Sequence, residues 1–199
     1  VDALLGADLV WTGRASLAEV ETVLEHVARR LTAAGRRPYV IPVGGANPLG
    51  SQGYVDAADE LMWQLPSLDL VVVPASTGGT HAGLVAGLGS HERVLGISAA
   101  AFDDIEERVA RLAGEAAALA GREPPTGRPR VDMRYAAAGY AAELDAVAEA
   151  MRLAARTEAL VLDPVYTGKA LAGLAAGLAE GTVVPAGPGV VVHCGGAYG

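Results

Sequence analysis

The chain has 199 residues, of which 51% are hydrophobic, and a formal net charge of −8. This composition predicts a compact α/β protein rather than a disordered one. A single cysteine excludes an internal disulfide framework and a zinc ribbon. The acidic balance argues against a nucleic-acid partner, because binding to nucleic-acid phosphates needs a basic face. The sequence shows no apolar run long enough to cross a bilayer and no cationic leader, so we expect a cytoplasmic location without membrane contact.

Short aliphatic runs alternate with helical patterns along the chain, which predicts a parallel sheet with crossover helices. A helix is predicted over 16–35, where Ser16 is the N-cap, Glu19 completes a capping box and Gly35 closes the helix. The apolar run 68–76 is typical of a strand buried on both faces of a parallel sheet. The other elements predicted in the first half are a strand end at 7–11, a strand at 37–44 and a helix at 54–65.

The second half of the chain continues the same alternation. Its one evident loop insert, rich in proline and arginine, is predicted at 122–130. The predicted regular elements are a helix after residue 80, a strand at 93–100, helices at 103–121 and 142–156, a helix that begins at Lys169, and a strand at 189–194. No tandem repeat interrupts the pattern, so a single α/β architecture is expected.

The strongest local signal for chemistry is the turn Ser76, Thr77, Gly78, Gly79 and Thr80, between a predicted buried strand and a helix. Glycines allow backbone N–H groups to converge on an anion, and a helix N-terminus adds partial positive charge. The two threonine hydroxyls supply further donors. The turn has neither the lysine of a Walker loop nor the G-x-G-x-x-G spacing of a dinucleotide fold. It therefore predicts a phosphate site, with a merely tight strand–helix turn as the alternative.

Two other segments carry weaker signals. Asn47, in the glycine-rich run 43–54, is either a ligand donor or a residue that stabilises a turn. His193 lies beside an apolar run, a position typical of a core histidine. The four histidines and the one cysteine show no metal-ligand spacing, so no metal site is expected.

Lys169 is the only lysine in the sequence. It begins a predicted helix in which Leu171, Leu174 and Leu178 recur at helical spacing. We therefore expect its stem to pack on this helix while its amino group is paired or solvated. On this interpretation Lys169 does not bind a cofactor covalently.

Four segments together resemble one family in one order: "IPVGGANPLGSQGYVDAADEL", "STGGTHAGL", "LAARTEALVLDPVYTGKALAGL" and "HCGG". They are similar to the pyridoxal-phosphate enzymes that include D-cysteine desulfhydrase and 1-aminocyclopropane-1-carboxylate deaminase. The resemblance covers nearly all of the chain. It implies the tryptophan-synthase-β type of α/β fold (fold type II), with residues 1–12 as a remnant of a small domain and 13–199 as the large cofactor-binding domain.

The resemblance also implies roles for individual residues. The loop Ser76–Thr80 would hold the phosphate of pyridoxal 5'-phosphate, and Tyr140 and Tyr166 would be the two active-site tyrosines facing substrate. Thr167 and Cys194 would lie beside the pyridine nitrogen. The deaminase branch has a glutamate where Thr167 stands, so Thr167 favours the desulfhydrase branch. Cys194 stands where that branch has a threonine, which leaves the hydrogen bond to the ring nitrogen open because a thiol is a poor donor.

The Schiff-base lysine of this family lies upstream, in the part of the fold that precedes Val1. Three explanations stay open: a second chain supplies that part, the chain is a truncated product, or the chain has lost the activity and is a binding or assembly subunit. A first residue other than methionine favours the first two. If complemented, the chain would carry out α,β-elimination on a small amino acid. A face that the missing part should cover predicts association, as a homo- or hetero-oligomer.

Overall fold

The computed structural model describes residues 2–13, 15–136, 139 and 142–196. The chain divides into two compact units, residues 1–43 and 44–199. Tyr140, one of the predicted active-site tyrosines, lies outside the described residues. Among these residues, no helix is long and apolar enough to cross a membrane.

The first unit contains one helix, α1 (Leu17–Ala33). Its start is as predicted: the backbone N–H of Glu19 donates to the Ser16 hydroxyl, and the Glu19 carboxylate accepts from the Ser16 N–H at 2.7 Å. This reciprocal capping satisfies two amide donors that the first helical turn leaves without partners. Gly35 follows the helix with a positive φ of 77°, so the predicted end is also close to the observed one.

The strands predicted at 7–11 and 37–44 are absent, and this prediction was wrong. Neither segment forms a ladder with any described residue. A strand exists only where a neighbour supplies the complementary N–H and C=O groups, which local propensity does not provide. The segments are irregular and exposed, with Trp11 86% and Ile41 67% accessible.

The second unit is built on a four-stranded sheet in which every pairing is parallel, in the order β3-β2-β1-β4. The strands are β1 (Leu70–Ala75), β2 (Val94–Ser98), β3 (Arg130–Asp132) and β4 (Gly189–Val191). In the register, Val71 of β1 lies opposite Val94 of β2 and Val190 of β4. The predicted parallel sheet is therefore confirmed, with β4 ending earlier than predicted. Strand β3 was not predicted, since its three residues adjoin the loop expected at 122–130.

Helices cover both faces of this sheet. They are α2 (Gln52–Gln64), α3 (Gly79–Leu88), α4 (Ile105–Leu119), α5 (Asp145–Glu158) and α6 (Thr167–Glu180), with 3₁₀ turns at Val43–Gly45 and His91–Arg93. Val71 and Val73 pack in one core with residues of α2, α3 and α4. Leu70 and Val72, which point the opposite way, pack in a second core with residues of α5 and α6. The near-continuous burial of β1 follows from this two-sided cover.

The polar loops of the second unit gather at the carboxyl edge of the sheet. The segment 76–80 follows β1 and the segment 192–196 follows β4. Gly196 approaches Asp163 so closely that a Cβ on Gly196 would lie 2.5 Å from the aspartate Cβ. This contact places the loop 163–166, which precedes α6, at the same edge. Open parallel sheets bind ligands at this edge.

Candidate functional site

The turn between β1 and α3 offers backbone donors without partners of their own. Gly78 caps α3 with a positive φ of 90°, and α3 has no side-chain cap. The first intrahelical bond runs from the Ala82 N–H to the Gly78 carbonyl at 2.9 Å. The amides of the preceding turn therefore have no helical acceptor. Amides at a helix N-terminus, together with the helix dipole, are the arrangement that favours an anion, so the predicted phosphate site at this turn stays a prediction.

Glycine is needed in this turn because both of its sides are packed. A Cβ on Gly78 would lie 3.2 Å from a methyl carbon of Val109 in α4. A Cβ on Gly79 would lie 3.3 Å from the Cα of Ala46. The backbone is thus held between α4 and the segment before α2, with the half-buried Thr77 and Thr80 beside it. The donors are fixed in place before any ligand arrives, which is what an anion site requires.

The segment 44–51 supports the same turn from the other side. A Cβ on Gly44 would lie 2.5 Å from Oγ1 of Thr77, so the two residues touch through the glycine backbone. The buried Ser51 hydroxyl donates to the Gly79 carbonyl at 3.0 Å. The Asn47 side-chain oxygen accepts from the Gly50 N–H at 2.6 Å. Asn47 therefore stabilises a turn, as one of its two predicted roles states, and its role as a ligand donor stays a prediction.

The loop before α6 is organised by one buried carboxylate. Asp163 accepts hydrogen bonds from the N–H groups of Val165 and Tyr166, each at 2.9 Å, and from the Thr167 N–H at 2.8 Å. Thr167 also donates its hydroxyl to Asp163 at 2.7 Å and accepts from the Asp163 N–H at 3.0 Å. The carboxylate thereby caps α6, a favourable place for negative charge.

This network determines what Thr167 has to offer a ligand. Its hydroxyl proton is already donated to Asp163, and one lone pair is already used. A further partner can be bound only through the remaining lone pair. Its predicted position beside the pyridine nitrogen stays a prediction. Tyr166 is half-buried at the start of the same helix, and its predicted role toward substrate likewise stays a prediction.

Tyr54 is a candidate site residue that the sequence analysis did not single out. Burial raises the pKa of its phenol, hydrogen bonding with Thr80 lowers it, and hydrogen bonding with Cys194 raises it. The phenol therefore lies near both the predicted phosphate turn and the predicted ring-nitrogen residue. The only signal in the sequence is an aromatic residue in the first helical turn after a glycine-rich loop.

Lys169 is completely buried, and its Nζ has no hydrogen-bond partner. The expectation of a paired or solvated amino group was therefore wrong. Burial lowers the pKa of this lysine. The cause is the position of Lys169 on the buried face of α6. Lys169 lies one helical turn before Gly173, which packs against Ile97 of the sheet. An amine enclosed in this way is poorly placed to react with a ligand at the surface.

His193 also differs from its expected place. It is exposed rather than part of a core, its Nε2 lies 3.2 Å from the Val161 carbonyl, and its Nδ1 accepts from the Gly195 N–H. The strand β4 ends before this residue, so the apolar run does not carry it into the sheet. Cys194, the next residue, is an exposed free thiol. Within the described ranges, no group of three or more His, Cys, Asp or Glu residues is arranged to hold a metal ion.

Comparisons with known proteins identify the family of this chain. The family model of the pyridoxal-phosphate dependent enzymes matches residues 1–195. D-cysteine desulfhydrases of Salmonella paratyphi B and Salmonella typhi are each 38% identical over 191 residues, which is 92% of this chain and 57% of the relative. The chain thus spans a little over half the length of these relatives.

A crystal structure of an ACC deaminase homologue superposes with a TM-score of 0.78 at 34% identity, covering 96% of this chain and 58% of that one. The predicted fold type and the predicted cofactor are confirmed by these matches. The amides at the start of α3 fit the phosphate of that cofactor in their chemistry. The chain belongs to the family of pyridoxal-phosphate dependent enzymes, in the group that includes D-cysteine desulfhydrase and ACC deaminase.

Proposed function

We propose that this chain is the phosphate-binding part of a D-cysteine desulfhydrase-like lyase and that a separate part supplies the covalent lysine. The reaction is an α,β-elimination on a small amino acid with a leaving group on Cβ. For D-cysteine, one water is consumed and the products are a 2-oxo acid, ammonia and sulfide. The similarity to D-cysteine desulfhydrases supports this choice of substrate class.

The observation that carries the proposal is the closely packed glycine turn at the start of α3. The backbone N–H groups of this turn have no acceptor within the helix. A side chain at Gly78 or Gly79 would crowd the neighbouring residues. The site lies at the carboxyl edge of a parallel sheet, where this class of fold binds ligands. Ser76, Thr77 and Thr80 are proposed to complete the phosphate contacts.

Pyridoxal 5'-phosphate, when bound, supplies an electron sink for charge that develops at the substrate Cα. The residues of this chain then have binding and orienting roles. Cys194 and Thr167 are proposed to face the ring nitrogen. Tyr166, and Tyr140 outside the described residues, are proposed to orient the substrate carboxylate or to protonate the leaving thiolate. A tyrosine is suited to this acid role because its unperturbed pKa is about 10.

The separate lysine-bearing part is supported by the state of Lys169. The sequence offers no other lysine, and this one is enclosed in the core of the second unit. Apolar side chains of the first unit are open to solvent, among them Leu5, Trp11 and Ile41. Such exposure favours a partner, either the lysine-bearing part or a further copy in an oligomer. The division into a small-domain remnant at 1–12 and a large domain at 13–199, and the cytoplasmic location, stay predictions.

The alternative is a binding or assembly subunit that keeps the phosphate site without turnover. The same burial of Lys169 favours it, since the chain by itself contributes no accessible side-chain amine. The two functions differ in one respect: only the first gains activity when a lysine-bearing part is added.

The test is complementation by a relative. The chain is co-expressed with the part of Salmonella D-cysteine desulfhydrase that it does not match, and sulfide release from D-cysteine is measured. Activity that depends on both parts supports the lyase, with L-cysteine as the stereochemical control. Borohydride reduction followed by peptide mapping then locates the cofactor label.

Three results discriminate the possibilities. A label on the added part together with sulfide release is expected. A label on Lys169 contradicts the proposed division of labour. Retention of pyridoxal 5'-phosphate in a complex that forms stably but releases no sulfide favours the binding subunit.

A further inference from the structure

A cavity of about 340 Å³ lies at the amino edge of the sheet. Asp69 precedes β1, Arg93 precedes β2 and Arg130 begins β3, and all three residues line the cavity. The segment 183–186, which leads toward β4, lines it as well. Because the strands run parallel, their amino ends share one edge, opposite to the carboxyl edge that holds the turn before α3. This cavity is therefore separate from the proposed cofactor site.

Backbone carbonyls hold the two arginines of this cavity in place. Arg93 Nη2 donates to the Leu68 carbonyl at 2.6 Å and lies 3.0 Å from the Met62 sulfur. Arg130 Nη1 donates to the Glu92 carbonyl at 2.6 Å. Both arginines are half-buried, and among the described residues neither forms an ion pair. Each guanidinium has five N–H donors, of which these bonds use at most two, so two positive charges and most of their donors are left for a ligand.

The two carboxylates that also line the cavity do not neutralise these arginines. Oδ2 of Asp69 accepts from the N–H groups of Ala186 and Gly187, at 2.7 and 3.3 Å. Glu92 is exposed, and its Cγ lies against Gly127, where an added Cβ would come within 3.1 Å. Asp69 therefore stabilises the turn before β4, while the charge of Glu92 is open to solvent and is screened there.

We propose that this cavity binds a small phosphate-bearing anion, either inorganic phosphate or a phosphate monoester, between Arg93 and Arg130. The planar guanidinium fork matches the spacing of phosphate oxygens. A phosphate monoester carries about two negative charges at neutral pH, which suits a pair of arginines better than the single charge of a carboxylate. The Ser90 hydroxyl, which also lines the cavity, accepts from the Glu92 N–H and can donate its own proton to a further oxygen. The cavity volume leaves room for a small organic group beside the phosphate.

Binding of this anion joins the starts of two strands. Arg93 ends the 3₁₀ turn before β2, and Arg130 lies opposite Leu95 of β2 in the register. An anion held by both arginines therefore links β3, an edge strand of three residues, to the start of β2. Because only the folded chain brings the two arginines together, the ligand should also raise the free energy of unfolding.

Equilibrium dialysis with radiolabelled inorganic phosphate tests the site. Arg130→Gln removes one guanidinium and is expected to weaken binding about tenfold or more, the size of a charge-assisted hydrogen bond. Arg130→Lys keeps the charge without the fork and should have an intermediate affinity. Arg152→Gln, at an exposed arginine of α5, is the matched control and should bind like the wild type. Equal affinities of Arg130→Gln and Arg152→Gln would overturn the proposal, and urea unfolding shows that each variant is folded.

Glu92→Gln gives a test with the opposite sign and leaves both arginines in place. Removal of a negative charge from the lining should strengthen phosphate binding about twofold to threefold. The variant keeps the backbone carbonyl that holds Arg130. A purely structural role of the arginines predicts no such gain, so unchanged or weaker binding by Glu92→Gln contradicts the site.

Inorganic phosphate can also bind at the turn before α3, so the dialysis is repeated in a Gly44→Ala background. A Cβ on Gly44 would lie 2.5 Å from Thr77 Oγ1 in that turn, far from the amino edge. Arg130→Gln should have the same effect in both backgrounds. Phosphate binding that Gly44→Ala weakens and Arg130→Gln leaves unchanged overturns the proposal and leaves the proposed cofactor site standing. The opposite result supports the cavity whether or not the chain is part of a lyase.

Competition identifies the source of the phosphate group. Displacement of the label by glycerol 3-phosphate at lower concentrations than by unlabelled phosphate assigns the cavity to an organic phosphate, and equal displacement assigns it to the free ion. Acetate should be a much weaker competitor than either. Displacement by acetate at concentrations similar to those of phosphate contradicts the preference for phosphate, and a folded wild-type chain that binds no phosphate overturns the proposal.

Discussion

The imidazole of His81 lies directly against Gly96 of the neighbouring strand. A Cβ on Gly96 would come within 2.6 Å of Nδ1 and 2.8 Å of Cε1 of that ring. Both residues are completely or almost completely buried, His81 in α3 and Gly96 in β2. The glycine therefore provides the space in which α3, and with it the phosphate turn, packs on the sheet.

Gly96→Ala is expected to destabilise the protein by about 1–3 kcal/mol, because the added methyl group overpacks a core that has no room for it. The free energy of unfolding in urea measures this change. Gly114→Ala is the matched control, since it lies within α4 and a Cβ there would meet nothing within 4 Å. That substitution should be neutral or stabilising, by up to about 1 kcal/mol, through helix propensity. If Gly96→Ala and Gly114→Ala are equally stable, the close contact between Gly96 and His81 is contradicted.

His81 also predicts a pH dependence of stability. Burial and the charge of His91 lower the pKa of His81 to about 3, while the Val94 backbone acts in the opposite direction. In the unfolded chain the pKa of this histidine is near 6.5. Between pH 3 and pH 6.5 the unfolded chain therefore binds a proton at His81 that the folded chain does not bind. The stabilisation is therefore complete above pH 6.5 and is lost as the pH falls toward 3, by up to about 5 kcal/mol.

Urea unfolding at a series of pH values between these limits measures the slope. His81→Leu should flatten it, and only the change with pH is compared, because the substitution alters packing as well. His26→Leu, at an exposed histidine of α1, should keep the wild-type slope. If His81→Leu keeps the wild-type slope, the pH dependence of the unfolding free energy comes from other groups.

Lys169→Met is expected to raise the free energy of unfolding at about pH 7 by about 1–3 kcal/mol, since it removes a buried amine without a partner. Burial lowers the pKa of Lys169 below its usual 10.5. The wild type should therefore gain stability as the pH rises toward 10.5, whereas the variant should not. Unfolding at about pH 7 and about pH 9.5 tests both statements. Arg152→Met, at an exposed position of α5, should change stability by less than about 0.5 kcal/mol.

The Thr167 hydroxyl supports the loop before α6 through two hydrogen bonds with Asp163. Thr167→Val keeps the shape but leaves buried polar groups unsatisfied, so a loss of about 1–3 kcal/mol is expected. Thr167→Ser should retain most of the stability. Thr157→Val is the control, since that hydroxyl bonds only to the Leu153 carbonyl on an exposed helix surface. A loss in Thr157→Val as large as in Thr167→Val would show that burial is not the cause.

Signals confined to a short stretch of sequence predicted the structure well. The Ser16–Glu19 capping box depends on neighbours within a few residues, and the apolar run that became β1 is visible in a few consecutive residues. Strand pairing depends on distant partners. The run at 37–44 therefore has strand propensity without a strand, while Arg130–Asp132 forms one beside β2 despite two charged residues.

The site shows the same division. The tight turn between β1 and α3 was predictable because its glycines and threonines are consecutive, while its phosphate role stays a prediction. The position of Tyr54 was not predictable, since Thr80 and Cys194, which influence its pKa, belong to two other loops that only the fold brings near it. Lys169 was placed at a surface because lysines are seldom buried without a partner. Its burial follows from a helix face made of small residues, which local hydrophobicity does not reveal.

Gly44 and Gly45 allow the phosphate turn to be tested without altering its own residues. Both have positive φ values, 65° and 63°, so alanine is strained at each. Only at Gly44 would the new Cβ meet Thr77 Oγ1, at 2.5 Å, whereas at Gly45 it would meet nothing within 4 Å. Gly44→Ala should therefore displace the Thr77 hydroxyl and weaken binding of pyridoxine 5'-phosphate about threefold to tenfold, the size of one or two lost hydrogen bonds. Gly45→Ala should bind the same probe like the wild type, and equilibrium dialysis measures both variants. If the two variants lose affinity to the same extent, backbone strain rather than displacement of Thr77 determines the affinity, and the hydroxyl has no part in holding the phosphate.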